Sequence, residues 1–216
     1  PRGRRPQGST KPATGIDSFS AATLAHEWEW NHNPDDSKWS AGGELTLQTA
    51  TVTEDLYSAR NTLTRRILGP TSTATMVLDY GGMKDGDVAG LALFRDSSAW
   101  IGVTRVGGSD KVAMVNGLKL QNSNWATTST GTEAASSPVS GGKIWLRIAV
   151  DVRPGANRQG KFSYSTDGAQ FTALGPGFTM NNAWQFFMGY RFAIFNYATQ
   201  ALGGSVSVSS FELATP

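Results

Sequence analysis

The sequence predicts an all-β fold, two packed antiparallel sheets of the jelly-roll type, and three observations carry that prediction. Short runs alternate polar and apolar residues with period two, as half-buried strands do. Gly, Asp, Ser and Pro separate those runs, and no segment holds a helical period of 3.6. Charged residues make up only 17% of the chain while glycine alone contributes 25 residues, against about a quarter charged in an average domain. At 216 residues the chain suits a single sandwich.

In chain order, residues 1–15 read as a linker or extended segment. Arg2, Arg4, Arg5 and Lys11 all precede the first acidic residue, Asp17, so the pI near 9.0 and the net charge of +2 are local to this segment. The remainder is slightly acidic, which speaks against a nucleic-acid partner. The abrupt Pro-Arg-Gly-Arg-Arg start reads as an excised segment. Residues 16–216 then form one sandwich domain. Its strands are expected at 44–49, 74–80, 88–94, 99–106, 111–115, 144–152, 161–165, 186–197 and 205–213. Asp167-Gly168 signals a turn, with Phe171 on the returning strand. The Ser-, Thr- and Ala-rich stretch 122–142 is expected to be an exposed loop. Without cysteine there is no disulfide framework and no thiolate metal site, and no apolar run reaches the length of a membrane span. A signal peptide is not visible either.

Two stretches carry chemistry. The first is Trp28-Glu29-Trp30-Asn31-His32-Asn33-Pro34-Asp35-Asp36. A strand through Trp28 and Trp30 would set both rings on one face, roughly 6.7 Å apart, as a platform for the C–H faces of sugars; the alternative is that both rings are core. Asn31, His32 and Asn33 can bond hydroxyls, or the Asx residues can simply cap turns. The second stretch runs from 187 to 199 and contains Tyr190, Arg191, Phe192 and Asn196. An arginine in so apolar a strand must meet a carboxylate, a carbonyl or a ligand, because an unpaired buried charge is costly. Met83-Lys84-Asp85-Gly86-Asp87 has alternating oxygen donors but lacks the terminal glutamate of an EF-hand, so a surface hairpin is the plainer reading. Glu27, Glu29, Asp35 and Asp36 lie near aromatics, yet their spacing does not demand a glycosidase pair. No nucleophile elbow or phosphate loop is present, and no catalytic residue, metal ligand or cofactor is assigned.

The motif at 28–35 is similar to a signature in the C-terminal β-sandwich of glycoside hydrolase family 43 β-xylosidases and α-L-arabinofuranosidases. Residues 59–66, 83–92, 162–168 and 187–199 fit the same pattern in order, so the resemblance spans about residues 17–211. It implies a concanavalin A-like sandwich, also classed as carbohydrate-binding module family 91, that accompanies a five-bladed propeller bearing the catalytic acid and base. The implied role is an accessory domain that binds xylan, arabinoxylan or their oligosaccharides or completes the propeller's substrate pocket. The alternative is a structural domain without sugar affinity. Trp28, Trp30, Asn31, His32, Asn33, Arg60, Tyr190, Arg191, Phe192 and Asn196 are the candidate substrate-binding residues. Secretion is the expectation for a polysaccharide degrader, with action inside cells on imported oligosaccharides as the alternative, and the resemblance implies inverting hydrolysis residing in the parent protein and not in this chain. One departure stands out. Ser207 and Ser209 occupy positions where relatives often carry carboxylates, so bound calcium is not expected.

Overall fold

The computed structural model describes residues 14–153, 158–181 and 189–216. Among these the strands are β1 (Gly15–Asp17), β2 (Glu29–Trp30), β3 (Trp39–Ser40), β4 (Leu45–Gln48), β5 (Leu63–Arg66), β6 (Thr71–Asp79), β7 (Asp87–Phe94) and β8 (Ser97–Val106). They continue with β9 (Ser109–Leu120), β10 (Thr127–Val139), β11 (Lys143–Asp151), β12 (Gln159–Ser165), β13 (Thr172–Ala173), β14 (Phe178–Thr179), β15 (Arg191–Ala198) and β16 (Ser205–Ala214). Short 3-10 turns lie at Asp36–Lys38 and Leu56–Ser58.

Two antiparallel sheets result. One runs β13-β12-β11-β6-β16-β4-β3, with β1 added to β16 and β14 to β12; the other runs β10-β9-β8-β7-β15-β5-β2. The all-β sandwich expected from the alternating runs is therefore the fold. Its core forms where the inward positions of both sheets meet: Met76 and Leu78 of β6, Leu146 and Ile148 of β11, and Phe211 of β16 against Leu91 and Leu93 of β7, Ile101 of β8 and Phe192 of β15. The alternate positions of the seven-stranded sheet are also buried. Val88, Phe94, Trp100, Phe195 and Tyr197 form a second apolar cluster on its outer side, roofed by Leu56, Tyr57 and Ala59. That roof explains why β7 is buried along its whole length and reads as a continuous apolar run.

The stretch 122–142 differs from expectation. Most of it is β10, thirteen residues paired with β9 along the edge of the sheet. Its Ser, Thr and Ala side chains are small on both faces, so an edge strand here leaves almost no hydropathic alternation. The expected linker lies mostly outside the described residues, although Gly15 itself opens β1 against Leu213. The start of the strand expected at 186–197 lies outside the described residues too.

The turn after β12 is built as its sequence suggests. Asp167 accepts from the backbone N–H groups of Ala169 and Gln170 and from Ser165 Oγ, and Gly168 takes φ +79°, a conformation open to glycine. The backbone donors hold the Asp167 carboxyl down at about 2. The folded value lies below the unfolded value of about 3.9, so the turn gains stability above that pH and loses it as pH falls toward 2. Asp167→Asn should therefore flatten the pH dependence of chemical denaturation between these limits. An unchanged profile would exclude Asp167 as a contributor to acid sensitivity.

Candidate functional site

A cleft of about 360 Å³ opens on the outer side of the seven-stranded sheet, lined by Asn31, His32, Tyr57, Arg95, Trp125 and Arg191 among others. Its floor is sheet. Phe94 and Arg191 lie directly opposite one another on β7 and β15, and the Tyr57 ring packs 5.3 Å from that of Phe94. One wall is the loop after β2. Asn31 N–H donates to the Thr62 carbonyl, which ends the β2–β5 pairing and turns the chain. His32 Nε2 bonds the Tyr57 carbonyl at 3.1 Å. A carbonyl only accepts, so Nε2 carries the hydrogen. Arg60 Nε donates to the carbonyl of Asn33 at 3.0 Å, and Asn61 clamps both backbone groups of Asp35, accepting from its N–H and donating to its carbonyl. Asn61 sits at φ +59° to do so, a conformation asparagine tolerates better than most residues.

The opposite wall comes from the β9–β10 connection. Trp125 is 47% exposed, and the Arg95 guanidinium lies 5.0 Å from its ring centroid, a cation–π stack. Arg95 Nε is buried with no hydrogen-bond partner among the described residues. Beneath it, Tyr57 Oη donates to Ser98 Oγ at 2.7 Å, and burial pushes that phenol well above its usual range. Asp96 is 5% exposed and accepts from Asn181 Nδ2. Arg191 closes one end of the cleft. Its Nη1 meets Glu29 Oε2 at 2.8 Å, so the arginine of the apolar strand has the carboxylate that its burial requires.

The candidate residues divide sharply. Asn31, His32 and Arg191 converge on the cleft, while Asn33 and Arg60 brace its loop from outside. Trp28, Tyr190, Phe192 and Asn196 are buried to within 7% of full enclosure. Trp28 lies between Phe19 and Phe211, with the Arg65 guanidinium 5.3 Å from its ring and its Nε1–H donated to Asp17. Asn196 Nδ2 donates to the Leu47 carbonyl across the sandwich, and Tyr190 Oη donates to the Ser97 carbonyl. Trp30 is half-buried against Trp39, their centroids 5.2 Å apart. An exposed platform of Trp28 and Trp30 therefore does not form, because Trp28 is buried in the core and Trp30 packs against that same core, the alternative that the sequence left open. Trp125, Arg95 and Tyr57 were not among the candidates. The one signal was a lone tryptophan within the Ser/Thr-rich stretch.

Residues 16–214 match the family described as the beta xylosidase C-terminal concanavalin A-like domain. The chain belongs to this family. A beta-xylosidase of Formosa agariphila is 26% identical to this chain over 94% of its length, and the chain spans 35% of that relative. Among solved structures, a family 43 glycoside hydrolase engineered to display both endo-xylanase and exo-arabinofuranosidase activity is 44% identical. It superposes with a TM-score of 0.92, over all of this chain and 43% of that one. A bifunctional family 43 protein of Bacteroides eggerthii is 34% identical with a TM-score of 0.82, over 93% of this chain and 26% of that one. The xylosidase C-terminal domain is thus a minor part of the length of these relatives.

Proposed function

We propose that this domain contributes a sugar-contacting wall to a xylan-degrading family 43 enzyme, through the cleft between the 31–32 loop and Trp125. The observation that carries the reading is the meeting of an exposed indole with Asn31, His32 and two arginines, an apolar face rimmed by hydroxyl-bonding groups. Catalysis belongs to the part of the parent protein outside this chain, a propeller in the family it resembles, and hydrolysis there proceeds with inversion. The names of the relatives support xylo-oligosaccharide or arabinoxylan as the ligand class. Secretion fits the degradation of a polymer that cells cannot import whole.

The test is a titration of the chain with xylohexaose. A shallow, wet site of this kind should bind in the millimolar to micromolar range, about −4 to −8 kcal/mol. Trp125→Ala should weaken binding at least tenfold, about 1.4 kcal/mol, with an unchanged melting temperature, because the ring stands at the surface. Equal affinity of the variant would sink the assignment of the cleft. A second reading, a purely structural domain that stabilises its partner, draws on the burial of Trp28, Tyr190, Phe192 and Asn196. It predicts no binding at millimolar xylohexaose.

A further inference from the structure

We infer that the outer face of the nine-stranded sheet is a second glycan-binding surface, one that takes a sugar chain bearing a carboxylate. This surface lies on the opposite side of the sandwich from the Trp125 cleft and shares none of its lining residues. Along β11 every second residue points away from the core: Lys143, Trp145, Arg147, Ala149 and Asp151, each more exposed than its inward neighbours. The β12 and β6 strands flank them in register. Ser163 and Thr75 stand beside Arg147, Lys161 and Thr73 beside Ala149, and Ser165 and Val77 beside Trp145.

The cations here are held in place and left without carboxylates. Arg147 Nε donates to Thr75 Oγ1 at 2.9 Å, and its guanidinium carbon lies 3.6 Å from the centroid of the Phe171 ring. Two anchors therefore fix the plane of the group, while its terminal nitrogens bond no protein atom among the described residues. Lys143 Nζ sits 5.1 Å from the centroid of Trp145. The Trp145 ring in turn packs on Gly168, where an added Cβ would come within 2.8 Å of it. Among the described residues no carboxylate lies within ion-pair distance of Lys143, Arg147 or Lys161. The nearby acids are engaged elsewhere or stand apart. Asp151 pairs with Arg153 at 2.6 Å, and Asp167 is spent on its own turn. Asp79, directly opposite Lys143 on β6, accepts from Gly81 N–H, and Glu212 shares the cross-strand row of Arg147 but lies two strands away, beyond Thr75. A hollow of about 550 Å³ adjoins the row, lined by Thr73, Ala149, Gln159, Lys161 and Ala214 among others, with Asp151, the partner of Arg153, at its side.

A pre-set guanidinium with open terminal nitrogens matches the fork of a carboxylate. The hollow beside it provides room for the sugar that carries the carboxylate. Charge complementarity therefore selects an acidic glycan over a neutral one: a uronate branch or residue would meet Arg147, with Lys161 and Lys143 adding attraction.

The experiment compares the intact chain's affinity for a xylo-oligosaccharide carrying one glucuronate branch with that for the unbranched oligosaccharide of equal length. The acidic ligand should bind about tenfold more tightly at low salt. That preference should shrink near 1 M salt, where the screening length is about 3 Å. Arg147→Gln should abolish the preference, and Lys161→Gln, at an exposed position that cannot threaten folding, should reduce it. Arg147→Lys should keep only part of it, because the charge remains and the fork is lost. Trp125→Ala should weaken the unbranched oligosaccharide, which depends on the cleft, and leave the acidic ligand bound at this surface, which separates the two sites. Equal binding of the two oligosaccharides would overturn the proposal. So would a preference that survives Arg147→Gln, or one that disappears with Trp125→Ala.

Discussion

Phe192→Ala should destabilise the domain by about 4 kcal/mol, the usual cost of removing a buried phenylalanine and leaving its cavity behind. The ring is fully enclosed and touches the Phe211 ring at 6.3 Å, placing it at the contact between the two sheets. For a domain of this length such a loss corresponds to a fall in melting temperature of roughly 8–16 °C. Differential scanning calorimetry measures it directly. A drop below about 2 °C would show that the cavity collapses, or that the sheets do not meet at this residue. Phe192 neighbours Arg191, which lines the cleft, so the two substitutions should separate cleanly. Phe192→Ala acts on stability. Arg191→Gln should instead weaken sugar binding and leave Glu29, an exposed group, with only a small cost.

Gly90→Ala should be comparably damaging, by about 3 kcal/mol, for the opposite reason. Gly90 of β7 lies directly opposite Gly102 of β8 in the middle of the seven-stranded sheet. A Cβ there would fall 2.2 Å from the Ile101 carbonyl oxygen and 2.5 Å from Gly102 Cα. Those atoms belong to backbone and cannot rotate aside, so the strands must separate. The expected readouts are a lower denaturation midpoint and weaker amide protection along β7 and β8. Near-wild-type stability would mean that this pair of strands can widen without loss. Gly168→Ala is a milder counterpart, since its obstacle is the Trp145 side chain and its strain is a positive φ.

How much of this was legible in the sequence depended on what each segment buries. Strands with one face in the core, such as β11 with Ile144, Leu146, Ile148 and Val150 turned inward, announce themselves by alternation. β10 did not, because serines, threonines and alanines at a sheet edge look alike on both sides. The roof over the outer face was also hidden. Phe94, Trp100 and Phe195 read as sheet residues, and nothing local says that a 3-10 turn at Leu56–Ser58, roughly 40 to 140 residues earlier, covers them. The need for a partner of Arg191 followed from burial cost alone, whereas its identity, Glu29, depends on β5 standing between β2 and β15. Trp28 and Trp30 pack against one and the same core, so the alternative that both rings are core holds; spacing alone does not say whether a shared face looks to solvent or to the interior. Trp125 was invisible for a related reason: a single aromatic in a polar stretch carries no periodic signal.

The position of β16 has a consequence for how the chain is made. This last strand does not sit at an edge but between β6 and β4, pairing with residues synthesised well over a hundred positions earlier. Until residues 205–214 leave the ribosome, β6 and β4 present unpaired edges and Met76 and Leu78 lack the cover of Phe211. Such edges and apolar surfaces are where nascent chains stick to one another, and closing so long a loop is slow. The domain should therefore acquire protease resistance in a single late step. A chain stopped at Gly204 should associate with chaperones or aggregate, although it carries the whole Trp125 cleft.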